Sequence, residues 1–167
     1  SNLVGDYNVE NILAAVAGSR HFGVDAVAIK NAIEAYSPTN NRSQFIITSK
    51  NTVIMDAYNA NPSSMDAAIR NFSVVNAINK KVIIGEMLEL GDYSKEEHAI
   101  IVDLLEALSF KDVILVGEGF CGVNRDYLFF ADSEKCMACL KNNPYENSTI
   151  LLKGSRGVKL ERLMDIL

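Results

Sequence analysis

Three short stretches combine residue types that can hold an anion or a polar ligand. The first is Asp56-Ala57-Tyr58-Asn59-Ala60-Asn61-Pro62-Ser63-Ser64, which follows an apolar β-rich run and leads into a helical pattern. The free N–H groups and the dipole of a helix start favour negative charge there. Asp56 suits a ribose hydroxyl or a metal-bound water. Asn, Pro and Ser are also ordinary turn and cap residues, so a plain strand-to-helix turn remains open. The second stretch, Lys153-Gly154-Ser155-Arg156-Gly157, again follows an apolar run. Its two cations, two glycines and hydroxyl suit a carboxylate or phosphate, or simply a solvated turn. The third, Gly85-Glu86-Met87-Leu88-Glu89-Leu90-Gly91, offers Glu86 and Glu89 as polar contacts, or forms a loop around its own apolar cluster. Arg42 follows a polar breaker, from which a cation can reach a phosphate across a cleft; an isolated Arg is more often surface.

The elements that must position these loops follow from periodicity. Val9, Ile12, Leu13 and Val16 mark an amphipathic helix closed by Gly18-Ser19. A second helix starts near Asp25, with Ala26, Ile29, Ile33 and Tyr36 on one face. Ser37-Pro38-Thr39-Asn40-Asn41 breaks the pattern and marks a domain boundary, dividing residues 1–37 from 38–167. Gln44 to Thr48 and Thr52 to Met55 predict a hairpin around Ser49-Lys50-Asn51. Pro62 sits at the first position of a helix capped by Asn61, with Met65, Ile69 and Phe72 inward. Val82 to Ile84, Val113 to Val116, Tyr127 to Phe130 and Thr149 to Leu152 are short apolar strands. Helices are expected between them: one opened by a capping box at Ser94-Lys95-Glu96-Glu97, one from Asp132, and a closing helix over Val158 to Leu167. Strands alternating with helices predict an α/β fold, a mostly parallel sheet with an N-terminal antiparallel hairpin strand and helices on both faces. Ligands of such sheets collect at the carboxyl ends of the strands, where all three stretches lie.

Other features are weaker than they look. Gly117-Glu118-Gly119-Phe120-Cys121-Gly122 matches G-x-G-x-x-G, but no helix pattern follows it, as a dinucleotide site requires. Cys136-Met137-Ala138-Cys139 has no partner pair for zinc and falls inside a helical pattern. His21 and His98 stand alone, with His98 expected at a helix boundary. With 49% hydrophobic and 22% charged residues the 167-residue chain can close a core. A net charge of -5 argues against nucleic acid as the main partner. No apolar run approaches the ~20 residues of a membrane span, and no signal peptide is visible. Three cysteines suggest free thiols. Ser1-Asn2 in place of Met suggests a cytoplasmic protein cut from something longer.

Taken in order, Gly5-Asp6-Tyr7-Asn8-Val9-Glu10-Asn11-Ile12-Leu13-Ala14-Ala15, Asn40-Asn41-Arg42-Ser43-Gln44, the Asp56–Met65 loop, Gly85–Gly91, His98 and Lys153–Arg156 resemble the Mur ligases, the ATP-dependent amide-forming enzymes of peptidoglycan precursor synthesis. The resemblance is to the branch that adds D-alanyl-D-alanine to a UDP-N-acetylmuramoyl-tripeptide. It implies a dinucleotide-binding-like C-terminal domain at 38–167, preceded by the last helices of a central ATPase domain at 1–37. It implies ATP and Mg2+ as cofactors, with the metal ligands and phosphate loop upstream, so that the rest of the polypeptide is itself a partner and the chain alone is inactive. By resemblance, Asn8 and Asn11 lie near the adenine, on a helix face opposite Val9–Ile12–Val16. Arg42 contacts phosphate on domain closure, and Asp56 holds the ribose. Tyr58, Asn59, Asn61 and Ser64 shape the acceptor side, and Lys153, Ser155 and Arg156 hold the dipeptide carboxylate. Asp6-Tyr7 replaces a histidine common in relatives. Two rivals remain: a receiver-like module, which also has an Asp at a strand end and a Lys after the last strand but needs an acidic pair that Gln44–Thr48 lacks, and a free-standing nucleotide-binding module.

Overall fold

A computed structural model describes residues 8–167; Gly5, Asp6 and Tyr7 of the first motif lie outside the described residues. Two helices come first, α1 (Asn8–His21) and α2 (Ala26–Ala35), the latter capped by Asp25, whose carboxylate accepts the N–H groups of Val27 and Ala28. Residues 36–43 form neither helix nor strand. A six-stranded sheet follows: β1 (Gln44–Ile47), β2 (Thr52–Asp56), β3 (Lys80–Gly85), β4 (Val113–Val116), β5 (Leu128–Phe130) and β6 (Thr149–Lys153). Its order is β1-β2-β6-β3-β4-β5, with β1 antiparallel to β2 and the other pairings parallel. This is the expected α/β architecture.

The central strands read as unbroken apolar runs because both faces are covered. Successive side chains divide between two cores. Ile54, Val82, Ile84, Val113, Leu115 and Leu151 point to one face, under α3 (Pro62–Val74) and α4 (Ser94–Ala107). Val53, Met55, Ile83, Ile114, Ile150 and Leu152 point to the other, under α5 (Ser133–Asn142) and the C-terminal segment. No helix among the described residues is long and apolar enough to cross a membrane.

Four local expectations are corrected. The closing helix over Val158–Leu167 is instead two 3-10 segments, Arg156–Val158 and Leu160–Asp165, separated by Lys159 in the left-handed region (φ 60°, ψ 41°). Leu160 and Leu163, three apart, fall on one face of a three-residue turn and fill the second core. The Leu167 carbonyl, taken by Thr48 Oγ at 2.9 Å and Asn51 Nδ2 at 2.6 Å, fixes the end of the chain. The capping box at Ser94 does not form. A 3-10 turn, Gly91–Tyr93, runs straight into α4, so Ser94 is already helical and no side chain caps that end. Helix α1 does not stop at Gly18-Ser19 but continues to His21. His98 is no boundary residue either; it lies within α4, fully buried.

Candidate functional site at the carboxyl edge of the sheet

The parallel register brings the strand ends into line. Asp56 stands opposite Lys153, Lys153 opposite Ile84, and Gly85 opposite Val116. Loops 57–61, 86–90, 117–121 and 154–158 therefore leave the sheet side by side. Gly85 and Gly154 are needed where two of these loops cross, since a Cβ on Gly154 would lie 2.7 Å from the Gly85 Cα.

Beneath the edge, Lys153 Nζ donates to Asp56 Oδ2 at 2.8 Å and to the Asn59 carbonyl at 3.4 Å. The Lys153 side chain is 1% exposed and that of Asp56 14%. Asp56 Oδ1 accepts the Ser43 N–H at 3.1 Å. The two charges thus face each other, and the Lys153 ammonium is buried against Asp56 rather than presented to solvent.

Above them, two cations meet at one ring. The Arg42 guanidinium carbon lies 3.9 Å from the Tyr58 ring centroid, and that of Arg156 lies 5.7 Å from it. Neither arginine forms an ion pair among the described residues, and both are exposed. Stacking on an aromatic face leaves the guanidinium N–H edges free for an oxyanion. The turn that presents Arg42 is unusual: its neighbours Asn41 (φ 58°) and Ser43 (φ 47°) are both left-handed. Non-glycine residues resist that conformation. Here it is held by Tyr58 N–H donating to the Asn41 carbonyl at 3.2 Å, by Asp56 on the Ser43 N–H, and by Asn8 Nδ2 donating to Ser43 Oγ at 3.3 Å.

Asn8 also accepts from Asn11 Nδ2 at 3.3 Å. Both line a cleft of about 460 Å³ between α1 and α2, with Ile12, Ile29 and Ile33 on its walls and Arg42 at its border. Ile12 therefore shares the face of Asn8 and Asn11 rather than opposing it; Val9 and Leu13 are the exposed members of the apolar stripe. The face of α1 turned to the cleft is polar at one end, which apolar periodicity passes over.

The remaining expected residues divide by what occupies them. Asn61 Oδ1 accepts the Ser64 N–H at 2.8 Å and Ser64 Oγ accepts the Asn61 N–H at 3.1 Å, a reciprocal cap that accounts for both. Asn59 is exposed, its side-chain oxygen taking the Ala60 N–H. Ser155 is buried; its Oγ accepts the Leu88 N–H at 3.0 Å and its N–H donates to the Glu86 carbonyl at 3.2 Å. Glu89 is exposed with φ 69°. Glu86 Oε2 accepts the Gly119 N–H at 2.8 Å. His98, which no local spacing singles out, accepts the Met87 N–H on Nε2 at 2.9 Å. Burial pushes its pKa below the ordinary value, against the Ser94 carbonyl and the Glu86 and Glu97 carboxylates, which act the other way. Gly117 and Gly119 of the G-x-G-x-x-G match serve packing: Cβ atoms there would lie 2.6 Å from the Glu86 side chain and the His98 ring respectively. Cys136 and Cys139 lie inside α5, the buried Cys136 thiol pushed up to about 12. Among the described residues no group of three or more His, Cys, Asp or Glu could hold a metal ion. With Asp56 committed to Lys153, the residues of this edge do not fit a Mg2+ site by themselves.

The sequence profile of "Mur ligase, glutamate ligase domain" matches residues 41–156, which include Arg42, the whole sheet, the Asp56–Ser64 and Gly85–Gly91 stretches and the Lys153–Gly157 stretch as far as Arg156. The chain belongs to the Mur ligase family. Within it, UDP-N-acetylmuramoyl-tripeptide–D-alanyl-D-alanine ligase from Treponema pallidum is 33% identical over 174 residues, covering 99% of this chain. The ligase of the same name from Rickettsia prowazekii is 37% identical over 134 residues, covering 76% of the chain. A crystal structure of MurF from Acinetobacter baumannii matches with TM-score 0.77 and 30% identity, over 96% of this chain and 37% of that one. MurF from Thermotoga maritima in complex with ADP, at 22% identity and TM-score 0.79, shares the fold. The chain spans 38% of the Treponema protein and 30% of the Rickettsia protein. Family membership removes the receiver-like alternative, which a strand-end Asp and a late Lys had kept open.

Proposed function

We propose that this chain is the C-terminal part of a cytoplasmic ATP-dependent ligase that joins D-alanyl-D-alanine to UDP-N-acetylmuramoyl-tripeptide. Residues 38–167 form its third domain, and residues 1–37 belong with the preceding ATPase domain. The observation that carries this reading is the convergence of Arg42 and Arg156 on Tyr58, at the edge where a parallel sheet collects ligands. The names of the relatives support the choice of acceptor.

The chemistry transfers the γ-phosphoryl group of ATP to the terminal carboxylate of the tripeptide, releasing ADP. The dipeptide amine, as the free base, then attacks the acyl carbon. The tetrahedral intermediate collapses, the C–O bond to phosphate breaks, and an amide, phosphate and a proton result. Negative charge concentrates on the phosphoryl and acyl oxygens, and Arg42 is the residue that meets it, already stacked and without a competing carboxylate. Arg156 takes the dipeptide carboxylate, and Tyr58 keeps the two cations apart yet adjacent. Asn8 and Asn11 offer amides to the adenine, and Asp56 faces the ribose while Lys153 holds its carboxylate in place. Mg2+ neutralises phosphate charge when bound; its ligands are assigned to the upstream part of the polypeptide.

The test is an acceptor panel on the full-length polypeptide with ATP and UDP-N-acetylmuramoyl-tripeptide. ADP release that depends on D-alanyl-D-alanine, with the matching pentapeptide product by mass, is expected. Equal release with single amino acids, or none with the dipeptide, overturns the proposal.

A further inference from the structure

Of the two histidines, His21 is exposed and His98 fully enclosed. The enclosure is polar and directional. A backbone N–H can only donate, so the 2.9 Å contact from Met87 N requires a bare Nε2. The proton then sits on Nδ1 and is donated to the Ser94 carbonyl at 2.6 Å. The ring meets Phe120 edge to face, centroids 4.5 Å apart, and Gly119 leaves it room. The imidazole is thus clamped by α4 on one side and loop 117–120 on the other, and presents one acceptor to loop 86–90.

That loop leads directly to the cationic segment. One residue past Met87, Leu88 donates its N–H to Ser155 Oγ, and Ser155 returns its own N–H to the Glu86 carbonyl. The Leu88 side chain covers Gly157, where a Cβ would lie 2.6 Å from its Cδ1. Arg156 lies between these two anchored residues. Packing alone needs no nitrogen at position 98; an apolar residue would fill the space. What the ring adds is the acceptor that fixes Met87, and through it the height of the 86–90 loop against Ser155.

We infer that His98 is a positioning residue for the acceptor side: through Met87, Leu88 and Ser155 it sets Arg156 beside Tyr58 without touching any substrate. This rests on the proposed role of Arg156 in holding the dipeptide carboxylate. A rigid path of hydrogen bonds matters because a binding group displaced by about 1 Å can lose most of its effect.

The experiment uses the full-length enzyme with His98→Leu, which keeps bulk and removes the acceptor, and His98→Gln, whose side-chain oxygen reaches roughly as far as Nε2. Ser155→Ala cuts the same path one link later without disturbing the buried ring, and so serves if His98→Leu does not fold. Expected for His98→Leu and Ser155→Ala is a KM for D-alanyl-D-alanine raised about tenfold or more, with the KM for ATP within about twofold. Amide exchange should accelerate at 154–157 in both, and at 86–90, and His98→Gln should restore most of the loss. Equal shifts in both KM values, unchanged exchange at 154–157, or a Gln variant no better than Leu overturns the positioning role. Faster exchange with an unchanged dipeptide KM, in these variants and in Arg156→Ala alike, overturns the inference through its premise, the acceptor reading of Arg156.

Discussion

Removing the Lys153 ammonium should cost more stability than removing any surface charge, and the size follows from its surroundings. Lys153→Met keeps the aliphatic stem and deletes the charge. Asp56, 14% exposed in its side chain, is left with the Ser43 N–H and partial hydration. Breaking a buried pair from one side costs ~3–5 kcal/mol, and this partly wet carboxylate places Lys153→Met near ~3 kcal/mol. Asp56→Asn removes the counter-charge of a 1% exposed ammonium and leaves a single amide oxygen for two donors, Lys153 Nζ and the Ser43 N–H, with the Asn59 carbonyl 3.4 Å from the ammonium. That variant belongs near ~5 kcal/mol. The double variant leaves no unpaired charge, so it should be no less stable than Asp56→Asn alone, with a coupling of at least ~3 kcal/mol. Urea unfolding of the 167-residue chain measures all four proteins. Because the pair is enclosed, the coupling should survive 1 M salt, where the screening length is only ~3 Å. Single variants that each cost under ~1 kcal/mol, or a double variant equal to their sum, would refute the claim that these charges serve one another.

Two further outcomes follow. His98 is held below its ordinary pKa of 6.5 by burial, while the Glu86 and Glu97 carboxylates and the Ser94 carbonyl oppose the shift. The unfolded chain therefore binds a proton that the folded chain refuses, and stability present above pH 6.5 is lost as the pH falls below it, toward the folded pKa. Urea midpoints between pH 7.5 and 5 should fall more steeply for the wild type than for His98→Gln; parallel profiles count against a neutral, enclosed imidazole. The chain alone should bind Mg-ATP with a Kd weaker than roughly 1 mM, because the sequence has no phosphate loop and no metal cluster lies among the described residues. Micromolar binding by isothermal titration would mean a nucleotide site of another kind.

The strands were legible because a doubly covered sheet writes each one as a bare apolar run, as in Val82-Ile83-Ile84 and Thr149 to Leu152. The Asn61-Pro62 start was legible because capping is local chemistry. The C-terminal segment was not, since Leu160, Leu163 and Leu167 fit a helical period while the left-handed Lys159 and the anchored Leu167 carbonyl impose tighter turns. Candidate loops could be chosen from strand ends alone, but partners could not. Lys153 and Asp56 are 97 residues apart, and only the β2–β6 register sets them face to face. Glu86 and Gly119 lie 33 residues apart, and His98 meets Met87 from the next helix. None of these contacts leaves a spacing signature, so His98 passed as an isolated histidine. The pairing of Arg42 with Arg156 on Tyr58 was hidden for the same reason.

The division of labour between those two arginines is the central claim, and steady-state kinetics of the full-length enzyme test it most directly. Arg42→Ala should lower kcat by on the order of a hundredfold, as expected for a cation placed at developing charge. Arg156→Ala should instead raise the KM for D-alanyl-D-alanine and leave the KM for ATP near its original value. Wild-type kinetics in Arg42→Ala, or an Arg156→Ala variant whose dipeptide KM does not move, would contradict the account.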